Sequence, residues 1–117
     1  MRAGYVVLVV EDEALVRMVA VDALLEAGYL TLEAANADQA ICLLEAHPEI
    51  RLVFTDVQMP GSMDGVNLAA AVRKRWPPVR IIITSARPKP VLTDDAVFLP
   101  KPYDVTDLGA QVEAALR

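Results

Sequence analysis

The sequence predicts an α/β fold, a doubly wound sandwich in which a five-stranded parallel sheet carries helices on both faces. Two observations lead there. Short β-branched apolar runs alternate five times with stretches of helical periodicity, without an internal repeat or a linker. The first run, YVVLVV at residues 5–10, is apolar at every position, the pattern of a strand covered on both faces. Strands of this kind are joined by right-handed crossovers.

After the first strand a helix is expected over residues 13–27. Leu15, Met18, Val19 and the run 21–25 form its apolar stripe, and Gly28 is its left-handed stop. LTLEA (30–34) reads as the second strand. Asn36, with Gln39 three residues on, is a capping box that opens a helix carrying Ile41, Leu43 and Leu44, closed by His47-Pro48. RLVFT (51–55) is the third strand, and residues 66–76 the third helix, stopped by Pro77-Pro78. RIIIT (80–84) and AVFL (96–99) are the last two strands. The final helix has Asp104 as N-cap, Asp107 at its third position and Tyr103 stapled to Leu108, with Val105, Leu108, Val112 and Leu116 on one face.

Composition narrows the function. At 117 residues, with 55% hydrophobic and 23% charged residues, the chain is one globular domain with a real core. Its apolar runs are too short to span a bilayer and no leader precedes them, so neither membrane nor export is expected. The single cysteine, Cys42, excludes an intrachain disulfide and fits a reducing, cytoplasmic interior; its neighbours place it as a buried small hydrophobe. A net charge of −5 argues against a nucleic-acid surface, and the cluster Arg73, Lys74, Arg75 reads as the solvated end of a helix.

In parallel sheets of this kind ligands bind beyond the carboxyl ends of the strands, where strand order reverses. Here those ends carry Glu11-Asp12, Asp56, Ser85 and Lys101. Singly, each has a plain reading: acids at a helix start, a turn hydroxyl, a surface charge. Together they form one site. Three carboxylates beside one lysine leave a net charge of −2, which raises carboxylate pKa values unless a cation intervenes. Few, charged, solvent-open oxygen ligands suit Mg²⁺, which often completes its shell with phosphate. Asp56 then reads as a nucleophile able to form an acyl phosphate, with Lys101 and Ser85 on the phosphoryl oxygens.

The set Glu11-Asp12, Asp56 followed by Met59-Pro60, Ser85-Ala86 and Lys101-Pro102-Tyr103 resembles the receiver domain of bacterial two-component response regulators, over essentially the whole chain. The resemblance implies a single receiver domain over residues 1–117, a flavodoxin-like (βα)5 fold and strand order 2-1-3-4-5. It implies that Asp56 is the phosphoacceptor and that Mg²⁺ (or Mn²⁺) is held by Asp12, Asp56 and the carbonyl of Gln58, with Glu11 acting through a water. Ser85 and Lys101 would bind the phosphoryl group, Phe98 would be the aromatic switch, and Lys101–Pro102 would be cis. The implied partners are a sensor histidine kinase or histidine phosphotransfer protein and a downstream protein. His47, the chain's only histidine, reads as exposed polar surface and not as a donor.

Two departures from the family pattern stand out. The loop PGSMDG (60–65) carries one residue more than is usual between the phosphoacceptor and the glycine matched by Gly65. Only 12 residues, ARPKPVLTDDAV, separate Ser85 from Phe98, and Pro88 and Pro90 bar a regular helix before Val91. The helix between the fourth and fifth strands is therefore expected to be truncated or replaced by a loop, which alters a partner surface and leaves residues 87–95 mobile.

Two other functions compete. A phosphohydrolase with an aspartyl-phosphate intermediate, of the haloacid-dehalogenase kind, would carry a second Asp at position 58, where this chain has Gln. A phosphorylation-independent interaction module would lack part of the charged set, and all of it is present. Apart from phosphorylation and dephosphorylation of its own Asp56, no enzyme activity is expected.

Overall fold

The computed structural model describes residues 5–59, 61, 63–87 and 96–117. Five strands, β1 (Val6–Val10), β2 (Leu30–Ala34), β3 (Ile50–Asp56), β4 (Arg80–Ser85) and β5 (Ala96–Pro100), form one sheet in the order β2-β1-β3-β4-β5. All four pairings are parallel. The helices are α1 (Ala14–Glu26), α2 (Ala37–Ala46), α3 (Gly65–Arg75) and α4 (Leu108–Leu116), the last entered through a 3-10 turn, Val105–Asp107. This is the flavodoxin-like arrangement. From β1 the chain steps outward to β2 and then crosses back to β3, so strand order reverses at β1 and β3.

The two-residue period of the strands sorts their side chains into two cores. Val6, Leu8 and Val10 pack with Val53, Ile81, Ile83 and the buried faces of α2 and α3. Val7 and Val9 pack with Leu52, Phe54, Ile82 and the buried residues of α1 and α4. Every residue of β1 is at most 6% exposed, and each such side chain contributes about 1.5–3 kcal/mol by leaving water. An all-apolar central strand is what this double coverage requires.

Local signals set the element ends. Gly28 has φ +97°, and the Gly28 and Tyr29 N–H groups bond the carbonyls of Leu25 and Leu24, a Schellman stop with Tyr29 buried beside Leu24. Asn36 Oδ1 accepts from the Gln39 N–H at 2.9 Å, while Gln39 Oε1 reaches one residue further back, to the Ala35 N–H. Asp104 caps the last helical segment through the Thr106 N–H at 3.0 Å, which starts that segment as a 3-10 turn and not directly as α-helix. Tyr103 and Leu108 join one apolar cluster, with Tyr103 edge-on to Phe54.

Two expectations meet a different outcome. Only Ala20, Val21 and Leu24 of α1 are buried; Leu15 (73%), Met18 (50%), Val19 (48%) and Leu25 (49%) stand exposed. A helix apolar on most of its circumference does not announce which side faces the sheet. Cys42 is exposed, because α2 buries Ala37, Ala40 and Leu44, and residue 42 points away from that stripe. Among the described residues no helix lies between β4 and β5, but residues 88–95, which carry the expectations of a truncated helix and a mobile segment, lie outside the described residues. So do Pro60 and Ser62 of the lengthened loop.

Candidate functional site

Asp56 is the last residue of β3 and is 8% exposed. Its position is fixed from both sides: the Val57 N–H bonds the Thr84 carbonyl on β4, and the Gly65 N–H bonds the Val57 carbonyl where α3 begins. A side chain at Gly65 would collide with the Asp56 main-chain carbonyl, so only glycine lets α3 start this close to the site. Asp56 Oδ1 accepts the Gln58 N–H at 3.1 Å, and Oδ2 lies 2.6 Å from the Lys101 ammonium.

Lys101 follows β5, and its N–H bonds the Ser85 carbonyl at 2.9 Å; the Lys101–Pro102 peptide is cis. Its ammonium sits between two buried acids, 2.6 Å from Asp56 and 3.4 Å from Glu11. Burial works against its charge, but the hydrogen bond and charge of Asp56, together with Glu11, outweigh this and raise its pKa.

Glu11 follows β1 and is 5% exposed. Its Oε2 accepts the Glu13 N–H at 3.1 Å. Its carboxyl is pushed up to about 7, by burial first and by a hydrogen bond with the Asp12 side chain second, more than Lys101 and the Glu13 N–H can offset. One ammonium between two buried carboxylates leaves the site short of positive charge. Arg17 of α1 anchors this loop, donating to the Glu11 carbonyl at 2.7 Å and to Glu33 on β2 at 3.0 Å.

The structure thus brings together Glu11, Asp56 and Lys101, as the strand ends predict. Asp12 is exposed at the rim. Ser85, the last residue of β4, is 1% exposed, and its hydroxyl donates to Gln58 Oε1 at 2.9 Å. Phe98 lies in β5 opposite Ile83, half-buried against the α2/α3 core. His47 Nδ1 faces Glu49 at 3.1 Å, in the segment after α2. Among the described residues no three His, Cys, Asp or Glu side chains converge closely enough to hold an ion, Lys101 lying between the two buried acids. The donor set still fits a hard cation: carboxylate oxygens short of compensating charge beside an open rim. Sequence reasoning missed the Arg17 anchor and the Gln58 side chain. Arg17, one α-helical turn into α1 from the acidic pair, was the readable signal for the first.

Fold and site define a doubly wound α/β domain whose acid–lysine cluster lies at the carboxyl edge of the sheet, where strand order reverses. The chain matches the response regulator receiver domain over residues 7–113 and belongs to that family, a component of two-component signalling. It is 38% identical to the sensor kinase CckA of Brucella abortus (strain 2308), over 94% of this chain and 12% of that protein. It is 36% identical to the transcriptional regulatory protein PdtaR of Mycobacterium tuberculosis (strain CDC 1551 / Oshkosh), over 94% of this chain and 56% of that protein. The chain therefore spans about an eighth and about half of these two relatives. The crystal structure of the receiver domain from the hybrid histidine kinase CckA superposes with a TM-score of 0.81 at 35% identity, covering 96% of this chain and 99% of that one. No helix among the described residues is long and apolar enough to cross a membrane.

Proposed function

We propose that Asp56 accepts a phosphoryl group from a phosphohistidine on a sensor histidine kinase or histidine phosphotransfer protein, and that this changes how the domain binds a downstream protein. The observation that carries this reading is the buried Asp56 carboxylate held 2.6 Å from Lys101, with a second buried acid, Glu11, beside it. A structural ion pair needs one acid per lysine; the surplus suits a site that receives a cation and an anionic group. That the relatives include a sensor kinase and a regulatory protein supports partners of this kind. The single cysteine suits a cytoplasmic setting.

In the proposed reaction an Asp56 oxygen attacks phosphorus as the bond to the imidazole nitrogen breaks, the bonding electrons staying on the ring. The new P–O bond makes an aspartyl phosphate, which water later hydrolyses. Lys101 moves its charge from the carboxylate to a phosphoryl oxygen, and the Ser85 hydroxyl donates to another. Asp12, Asp56 and the Gln58 carbonyl would hold Mg²⁺ (or Mn²⁺), with Glu11 acting through a water; bound there, the ion neutralises charge on the transferring group. Gln58 brings no titratable group two residues after Asp56, which favours a stored phosphoryl group over turnover of outside substrates. Roughly −1.5 to −2 charges then arrive at the site, and Ser85 and Phe98 convert them into a changed surface.

Incubation with acetyl phosphate tests this. Wild type should take up label only with Mg²⁺, Asp12→Ala should lose Mg²⁺ binding while staying folded, and Asp56→Asn should take up none. Labelling of Asp56→Asn at the wild-type level would refute the reading.

A further inference from the structure

Gln58 enters the proposed reaction only through its main-chain carbonyl, yet its side chain bridges two strand ends. Its amide oxygen accepts the Ser85 hydroxyl at 2.9 Å, across 27 residues of sequence. That hydroxyl in turn accepts the Arg87 main-chain N–H at 3.0 Å. A serine has one proton to donate, and here Gln58 takes it. Ser85 is 1% exposed, so its hydroxyl is held by these protein groups. The Asp56 oxygens are engaged elsewhere, Oδ1 by the Gln58 N–H and Oδ2 by Lys101.

We propose that the Gln58 side chain is a positioning residue, a latch that keeps the Ser85 hydroxyl in its resting orientation until an anionic group on Asp56 competes for the proton. This rests on the reading of Asp56 as phosphoacceptor and Ser85 as phosphoryl ligand. The exchange breaks one hydrogen bond and makes another; the proton stays on Ser85. It runs forward because a charged phosphoryl oxygen is a stronger acceptor than a neutral amide oxygen. Against the bare carboxylate, already satisfied by Lys101 and the Gln58 N–H, the amide keeps the hydroxyl. Because the Gln58–Ser85 bond opposes the switched state, its strength sets how readily that state is reached. The Gln58 contact to Asp56 is main-chain, so a side-chain substitution leaves it in place.

The test is the affinity for beryllofluoride in Mg²⁺, measured by calorimetry on wild type, Gln58→Met, Ser85→Ala and the double variant. Methionine keeps the length and apolar stem without the amide acceptor. Gln58→Met should bind about two- to tenfold more tightly, the range expected for removing one net hydrogen bond from the resting state. In the Ser85→Ala background the same substitution should change nothing, since no hydroxyl remains to hold. Without ligand, the Ser85 side-chain couplings in NMR should report one rotamer in wild type and averaging in Gln58→Met. Unchanged or weaker binding by Gln58→Met, or an equal gain without the Ser85 hydroxyl, would overturn the latch. If wild type itself binds no beryllofluoride, the phosphoacceptor reading fails and the latch with it as a switch element. Ser85 couplings unaltered in Gln58→Met would overturn it independently.

Discussion

Replacing Glu11 by Gln should stabilise the metal-free protein above neutral pH and flatten its pH dependence. The Glu11 carboxyl lies at about 7 in the fold against an ordinary 4.5, raised by burial first and by Asp12 second. Lys101 does not cancel the effect, because it lies closer to Asp56, at 2.6 Å, than to Glu11, at 3.4 Å. Over the window between the two values the folded chain keeps a proton that the unfolded chain has released. The contribution to stability is therefore complete below about 4.5 and is lost as pH rises through about 7. At 1.36 kcal/mol per pKa unit the loss is at most about 3 kcal/mol, and solvent at the open rim of the site screens it below that limit. For a domain of this size that corresponds to a fall in Tm of roughly 10 °C. Urea and thermal denaturation in EDTA, from about pH 5 to about pH 8.5, read it directly. Wild type should weaken across that range relative to Glu11→Gln, and excess Mg²⁺ should restore it by binding the folded state. Curves for the two proteins that run parallel over the whole range would show that Glu11 carries no buried charge.

Three smaller changes probe the surroundings. Thr84 Oγ1 is buried without a hydrogen-bond partner among the described residues, so Thr84→Val, which keeps the shape, should raise stability by about 1 kcal/mol; a loss in urea titration would mean that the hydroxyl is bonded. Gly65→Ala drives a methyl group into the Asp56 main-chain carbonyl and should cost about 1–3 kcal/mol while slowing labelling. Wild-type stability and rate would show that α3 can start further from the site. Asp104→Ala removes the cap on Thr106 and should lower stability by about 1 kcal/mol with Mg²⁺ affinity unchanged. A drop in that affinity would tie the start of the last helical segment to the site.

Much of the fold is legible because each boundary has its own chemistry. Gly28 adopts the left-handed conformation a Schellman stop needs, Asn36 and Asp104 cap as their positions suggest, and YVVLVV is buried on both faces. The acid–lysine part of the site is legible for a related reason: charged residues closing apolar strands have few structural explanations. The orientation of α1 is not legible, since Leu15, Met18 and Val19 are as apolar as the residues facing the sheet. Cys42 fails similarly, because its neighbours are apolar on more than one side of α2. The Gln58–Ser85 bond joins the ends of two strands and depends on β3 and β4 pairing with Asp56 opposite Thr84, a register no local pattern encodes.

Phosphotransfer to Asp56 is the claim on which the rest depends, and one measurement addresses it most directly. The protein is incubated with a phosphohistidine-bearing kinase or phosphotransfer domain and Mg²⁺, then treated with borohydride, which reduces an acyl phosphate to the alcohol, and the altered residue is located by peptide mass spectrometry. Reduction at Asp56 alone, with an acid-stable, base-labile label that Asp56→Asn abolishes, is the expected result. Label recovered on Ser85 or His47, with Asp56 unreduced, would contradict it.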